Sequence, residues 1–319
     1  MNTSSCTYLR VSLTDRCDFN CFYCLPSSRE AFLDERSVLT RQELVFLCGV
    51  FCRHGIRHIR LTGGEPLLRP DVAELVSALR GLGALERLSL TTNGRTLGPR
   101  VAQLAGRGLS HINVSCDTLR PDRFAKMTGR PALPRVTSGI LAAARRCPGR
   151  VKLNILLIRG FNDDEIVDFV SWGLRHGVDV RFIEYFPTSR RSRIFHGHFI
   201  PTAVVRKTIE EAFGPLEDLG SDPLAGPAHY ARVRGAASRI GFISSVTGSL
   251  CGTCNRLRLS ADGKLYPCLH SDYFVDLAAP LRRGRTQDID ALIDEAVRRK
   301  KDLNKFVCAR DFDMSSIGG

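Results

Sequence analysis

From residue 7 to about residue 213, short apolar or β-branched runs alternate with longer amphipathic segments. The runs Tyr8 to Leu13, Arg57 to Thr62, Arg87 to Thr92, His111 to Cys116, Val151 to Ile158 and Asp179 to Phe186 read as strands, and the stretches between them as helices. Two helices carry start signals at capping-box spacing, Thr40 with Glu43 and Asn162 with Glu165, and Gly55 and Gly177 supply matching stops. Six βα units in succession imply a parallel sheet. A closed TIM barrel needs eight, so the pattern predicts an α/β fold built as an open, partial (βα)6 TIM-type barrel, with its site at the C-terminal ends of the strands. Past residue 214 the pattern changes. Gly214 to Pro227 reads as a linker or long loop; Ala231 to Arg234, Arg239 to Ser244, and Arg256 to Ser260 paired with Lys264 to Tyr266 across Ala-Asp-Gly read as strands; Asp288 to Lys300 reads as a helix. The expected division is a barrel over residues 1–213 and a smaller C-terminal α+β domain over 214–319.

Strands of a parallel sheet covered on both sides are normally apolar on both faces. Here one face of several strands carries a cation, Arg10, Arg60, Lys152 or Arg181, and the apolar neighbours point the other way. These cations are expected to converge on the barrel lumen, where an anion of several charges would offset their burial. The alternative is pairing with Asp or Glu, or exposure at strand ends. After the second strand, Thr62-Gly-Gly-Glu-Pro66 lets the backbone approach a ligand and offers Glu65 as an acceptor for an ammonium group. Thr91, Asn93 and Ser115 place small hydrogen-bonding groups at adjacent strand ends, where each is equally well a turn residue.

The 319 residues, 43% hydrophobic, suffice for a soluble protein with one large and one smaller domain. A formal charge of +13 favours an anionic partner, either nucleic acid or a polyphosphate. The runs Arg190 to Arg193 and Arg298 to Lys301 read as solvated faces rather than nucleic-acid contacts. Met1 to Ser5 lacks a basic region followed by an apolar one, and the longest apolar run, near Leu44 to Phe51, is too short to span a bilayer. A cytoplasmic location without membrane attachment is expected.

Of twelve cysteines, six fall in two spaced triplets. Cys17, Cys21 and Cys24 follow the first strand, and three thiolates leave one iron of a 4Fe-4S cluster open to a small molecule. Zinc or plain core thiols are the alternatives, although no further Cys or His lies in that loop. Cys251, Cys254 and Cys268 form the second triplet, which His270 would convert into a zinc site; two sets each one ligand short point instead to two clusters. Cys6, Cys48, Cys52, Cys116, Cys147 and Cys308 read as buried or incidental thiols.

The chain resembles the radical S-adenosylmethionine enzymes, and more narrowly the GTP 3',8-cyclase family of molybdenum-cofactor biosynthesis. The resemblance is carried by Leu9-Arg-Val-Ser-Leu-Thr-Asp-Arg-Cys17, the Cys17/Cys21/Cys24 loop, Ile59-Arg-Leu-Thr-Gly-Gly-Glu-Pro66, Thr91-Thr-Asn-Gly94, Asn113-Val-Ser115, Val151-Lys-Leu-Asn154 and Arg181-Phe-Ile-Glu184. Cys251-Gly-Thr-Cys-Asn-Arg-Leu-Arg-Leu259 and the closing Met314-Ser-Ser-Ile-Gly-Gly319 narrow it to the cyclases. It implies two 4Fe-4S clusters and S-adenosylmethionine as cofactors, GTP as substrate, and a cyclised nucleotide, (8S)-3',8-cyclo-7,8-dihydroguanosine 5'-triphosphate, as product. The first cluster would chelate and reductively cleave S-adenosylmethionine, and the resulting deoxyadenosyl radical would abstract the 3' hydrogen of GTP. The second would hold the guanine.

By the same resemblance Tyr23, Gly63, Gly64, Glu65, Thr91, Ser115 and Phe186 contact S-adenosylmethionine or flank it. His58, Arg60, Lys152 and Arg181 bind the triphosphate, Arg10, Arg256 and Arg258 lie at the nucleotide and support the later steps, and Gly318 and Gly319 form a tail that reaches the site. An external one-electron donor, a following cyclic pyranopterin monophosphate synthase and a homodimer are the implied partners. His58 stands where the family usually has lysine, Phe186 where methionine is usual, and Thr188 to Phe199 is unlike the family loop. Two other readings are a two-cluster paralogue acting on another nucleotide or a peptide, and a non-catalytic iron-sulfur protein that binds nucleic acid.

Overall fold

A computed structural model describes residues 6–24, 32–186, 197–222, 226–248 and 254–302. Strands β1 (Tyr8–Ser12), β2 (His58–Thr62), β3 (Arg87–Thr92), β4 (His111–Ser115), β5 (Val151–Leu157) and β6 (Asp179–Glu184) pair in parallel in chain order. Helices α1 (Arg41–Arg53), α2 (Val72–Arg80), α3 (Leu97–Gly106), α4 (Pro121–Thr128), α5 (Leu133–Arg146) and α6 (Ile166–His176) lie between them. Each helix exists because its apolar positions recur at helical spacing: in α1, Leu44, Leu47, Cys48 and Phe51 are all buried. The capping box expected at Thr40 and Glu43 is formed, and Gly177 ends α6 in the left-handed conformation.

The strands of the arch are amphipathic in a particular sense. Period-two alternation sends Leu9, Val11, Ile59, Leu61, Leu88, Leu90, Ile112, Val114, Leu153, Ile155, Val180 and Phe182 outward, where they are buried. Each such side chain contributes about 1.5–3 kcal/mol of burial free energy. The inner face is left to polar groups, and the parallel register aligns them: Arg10 lies opposite Arg60, Arg60 opposite Ser89, Asn113 opposite Lys152, and Asn154 opposite Arg181.

After α7 (Thr202–Phe213) come β7 (Leu216–Ser221), β8 (His229–Val233), β9 (Ile240–Ile243), β10 (Arg256–Leu259), β11 (Lys264–Tyr266), β12 (Val275–Asp276), α8 (Ala278–Arg282) and α9 (Asp288–Asp302). Two of these strands extend the arch: β9 joins β6 in parallel and β10 joins β1 in parallel. The six-unit arch expected from the sequence is therefore flanked by two further parallel strands within one twelve-stranded sheet running from β12 to β7. The β10–β11 hairpin is formed as expected.

Two local expectations are corrected. Gly214 to Pro227 is not all loop, because Leu216–Ser221 pairs antiparallel with β8. It reads as loop because an edge strand tolerates polar residues, and a bulge between Asp218 and Gly220 interrupts its alternation. Asn162 forms no capping box: its Oδ1 accepts from Ile158 N–H, and its Nδ2 donates to the carbonyls of Asp117 and Leu156. Glu165, likewise buried, accepts from Thr118 and the Leu119 amide.

Candidate active site

The inner face of the arch encloses a cavity of about 500 Å³. Its lining includes Cys17, Cys21 and Cys24 at one end and Cys254 and Cys268 at the other. Cys251 and the Gly318–Gly319 tail lie outside the described residues, as do residues 187–196, most of the divergent loop.

The first cysteine loop is held from two sides. Asn20 and Phe22 donate their amides to the carbonyls of Thr128 and Met127, filling orphan acceptors at the end of α4. The Gly63-Gly64 turn packs against the loop's start: Gly64 N–H donates to Thr14 O at 2.6 Å, and Glu65 N–H to Arg16 O at 2.8 Å. A Cβ on Gly64 would lie 2.2 Å from Arg16 O, and one on Gly63, at φ +149°, 2.5 Å from Thr14 O. Backbone contact this close admits only glycine.

Glu65 itself sits behind the cavity wall. Its carboxylate accepts from Leu67 N–H, the Thr92 hydroxyl and Asn93 N–H at 2.7–2.9 Å, and it is fully buried. Burial pushes its pKa up to about 7 against those hydrogen bonds. The side chain of Asn93 in turn donates to Asp18 at 2.6 Å and approaches Cys17 Sγ at 3.9 Å, so Glu65 reaches the cysteine loop through Asn93. Tyr23 lines the cavity and donates its hydroxyl to Asp117, a buried carboxyl that burial raises to about 6 and that also accepts from Leu156 N–H. Asp117 is a site residue that sequence reasoning gave no role; its place two residues beyond Ser115, past the end of β4, was the available signal. Thr91, Ser115 and Phe186 line the cavity, and Phe186 meets the ring of His270 edge-on at 5.2 Å.

Arg10, Arg60, Arg181, Arg256 and Arg258 line the same cavity. Burial lowers the pKa of Arg60 to about 9 and holds that of Arg258 well below its ordinary value, and neighbouring guanidiniums add to both shifts. Among the described residues no carboxylate pairs with Arg60, Lys152 or Arg181; their partners are neutral. Arg181 Nη2 donates to Asn113 Oδ1 and Asn154 Oδ1 at 2.6 and 2.5 Å, and Gly241 opposite it leaves room for its stem. Lys152 is not in the lining. It lies deeper, its Nζ donating to Tyr230 Oη at 2.9 Å, with the Tyr230 ring also facing Arg239 at 4.8 Å. No sequence signal marked Tyr230, because it arrives from β8, a strand outside the parallel arch. His58 is also placed below the cavity, stacked on Tyr8 with ring centroids 4.1 Å apart and 2.7 Å from Ser89 Oγ.

Among the described residues no three His, Cys, Asp or Glu side chains stand close enough to hold a metal ion; it is the chemistry of the cysteine donors that fits iron-sulfur clusters. Burial raises the thiol of Cys17 to about 11 and that of Cys21 well above its usual value, and a metal that binds them would displace their protons. Cys254 is the opposite case: burial raises it, but Arg256 and Lys300 outweigh burial and bring it to about 7. Thr91 Oγ1 and Arg181 Nε are buried at the cavity with no hydrogen-bond partner among the described residues, which leaves one hydrogen-bonding group for a ligand near the first cysteines and one near the cations. Buried cations such as Arg60, Lys152 and Arg181, held by neutral partners, are the environment that a polyphosphate stabilises.

The sequence matches the Radical SAM superfamily over residues 11–173 and the family described as Molybdenum Cofactor Synthesis C over residues 178–306. It is 40% identical over 317 residues to the GTP 3',8-cyclase of Heliobacterium modesticaldum, covering 98% of this chain and 97% of that one. It is 41% identical over 315 residues to the GTP 3',8-cyclase of Pelotomaculum thermopropionicum, with the same coverage. Among solved structures, Streptococcus suis SuiB bound to S-adenosylmethionine superimposes with a TM-score of 0.65 at 14% identity, covering 87% of this chain and 66% of SuiB, a likeness of fold.

Proposed function

The chain belongs to the GTP 3',8-cyclase family of radical SAM enzymes, and we propose how its residues divide that family's work. It is an enzyme that cyclises GTP to (8S)-3',8-cyclo-7,8-dihydroguanosine 5'-triphosphate, the first step of molybdenum-cofactor biosynthesis. Two 4Fe-4S clusters and S-adenosylmethionine, when bound, supply the electron transfer and the radical chemistry.

Cys17, Cys21 and Cys24 hold the first cluster, and Cys251, Cys254 and Cys268 the second. The single observation that supports this assignment best is that the described members of both sets line one cavity together with five arginines. Thr91 and Ser115 hydrogen-bond S-adenosylmethionine, and the Gly63-Gly64 backbone lies against it. Tyr23, oriented by Asp117, and Phe186 wall its adenosyl end. Glu65 acts from behind, fixing Asn93 and through it the cysteine loop. Arg60 and Arg181 bind the triphosphate directly. Lys152 and His58 act from below, Lys152 by charge and His58 by holding Ser89, which accepts from Arg60 Nε at 3.2 Å. Arg10, Arg256 and Arg258 sit between the triphosphate and the second cysteine set, where they neutralise the substrate's charge and orient its base for the later steps.

Residues 1–213 carry the S-adenosylmethionine half of this site and 214–319 the second-cluster half. The electron comes from an external one-electron carrier, and the product passes to a cyclic pyranopterin monophosphate synthase. The enzyme works as a homodimer in the cytoplasm; among the described residues no helix is long and apolar enough to cross a membrane. The test is anaerobic reconstitution with iron and sulfide, iron counting, and mass spectrometry after incubation with S-adenosylmethionine, dithionite and GTP. About eight irons per chain, 5'-deoxyadenosine and a GTP isomer are expected. Bound zinc without iron would refute the assignment.

A further inference from the structure

Lys300 lies in the last turn and a half of α9 and lines the cavity. Its Nζ donates to Cys254 Sγ at 3.4 Å and to the carbonyl of Pro267 at 3.0 Å. Pro267 immediately precedes Cys268, so one ammonium group ties together the two described cysteines of the second set. Packing fixes where that ammonium sits, because Ile289, Ile293, Ala296 and Val297 of the same helix are buried. Two neighbouring cations of α9 face elsewhere: Arg298 and Arg299 both bind Glu295, and Arg299 also covers the ring of Tyr273 at 5.0 Å.

We propose that Lys300 is a positioning residue of the second cluster, whose charged hydrogen bond to the Cys254 thiolate raises that cluster's reduction potential and holds Cys254 and Cys268 in register. The inference rests on the assignment of these cysteines to a cluster. Reduction adds one electron from an external donor to the iron-sulfur core and moves no proton. Part of the added negative charge falls on the ligand sulfurs, so a cation donating to one of them stabilises the reduced form.

The experiment is an EPR-monitored redox titration of the full-length, anaerobically reconstituted chain, with dithionite as electron source. It compares the unmodified chain with Lys300→Met and Lys300→Arg. A Cys17→Ala, Cys21→Ala, Cys24→Ala background isolates the signal of the second cluster. The second midpoint is expected to fall in Lys300→Met and to return toward the unmodified value in Lys300→Arg, while the first cluster's midpoint stays in place. An unmoved second midpoint in Lys300→Met overturns the proposal, and so does an equal displacement of both clusters. Loss of the second cluster's iron from both Lys300 variants makes Lys300 a packing residue and also overturns it. An unmodified chain that takes up only about four irons defeats the two-cluster assignment as well, and iron counting distinguishes that case from the others.

Discussion

Replacing Glu65 by glutamine separates charge from hydrogen bonding behind the first cysteine loop. Oε1 accepts from Leu67 N–H and the Thr92 hydroxyl, and Oε2 from Asn93 N–H. Burial lifts this carboxyl from its ordinary 4.5 to about 7. Between those values the native state holds more protons than the unfolded chain. The stability that the neutral form contributes is therefore fully present below pH 4.5 and lost as pH rises through 7. At about 1.4 kcal/mol per pH unit the whole effect is on the order of 3 kcal/mol. Glutamine cannot ionise, so it removes this dependence. Its oxygen can still serve Leu67 and Thr92, but its NH2 then faces Asn93 N–H, and a buried donor left without an acceptor costs about 1–3 kcal/mol at every pH. Glu65→Gln should therefore be the less stable protein near pH 5.5, and the gap should close or invert near pH 8. Anaerobic urea unfolding of both proteins across this range measures the difference, and a pH-difference infrared spectrum should show a carboxyl band that the variant lacks. Parallel stability-pH curves for the two proteins would refute the reasoning.

Thr91→Val is nearly isosteric and removes a hydroxyl with no partner among the described residues, so thermal stability should hold while S-adenosylmethionine binds about 10-fold more weakly by calorimetry; unchanged affinity would remove Thr91 from the ligand contacts. Tyr230→Phe deprives the Lys152 ammonium of its acceptor, a loss of about 1.5–3 kcal/mol for a charged hydrogen bond, or about 10- to 100-fold in the Kd for GTP. Burial already holds the Lys152 pKa below its ordinary value, and the variant lowers it further. The affinity lost as pH rises should thus be lost earlier in Tyr230→Phe, and coincident pH profiles would contradict this. Gly64→Ala drives a methyl into the Arg16 carbonyl, where only backbone movement relieves the clash, at a cost of about 3 kcal/mol. Iron content should fall by about half through loss of the first cluster, and full iron with normal deoxyadenosine formation would show that the loop adapts.

The arch was legible because its signal is local. A period of two with cations on one face and Leu, Val or Ile on the other can be read from neighbouring residues, and Arg10, Arg60 and Arg181 do line one cavity, while Lys152 lies deeper against Tyr230. The alternative of carboxylate pairing was open on sequence grounds, and for Lys152 it was decided by β8. That strand brings Tyr230, a neutral phenol that accepts from Lys152 while its ring faces two cations. Likewise the Gly63-Gly64 spacing announced a close approach, but not that the approach is to the chain's own Thr14 and Arg16. Glu65 was read as a ligand group because its sequence position is beside the turn; its side chain points the other way, into Thr92 and Asn93.

The amino-acid sequence by itself determined the six repeated βα units, the two cysteine triplets and the alternation that commits one strand face to charge, because each depends on spacing along a few residues. Tertiary structure decided which distant segments complete the site. The parallel pairing of β9 with β6 and of β10 with β1 puts Gly241 beside Arg181 and Arg258 beside Arg10, joining residues sixty or more positions apart in the chain. Helix α9 then adds Lys300 to Cys254 from 46 residues away. Such contacts are set by which edges of a sheet remain unpaired and which helix faces remain uncovered, and those are properties of the folded arch that no local pattern encodes.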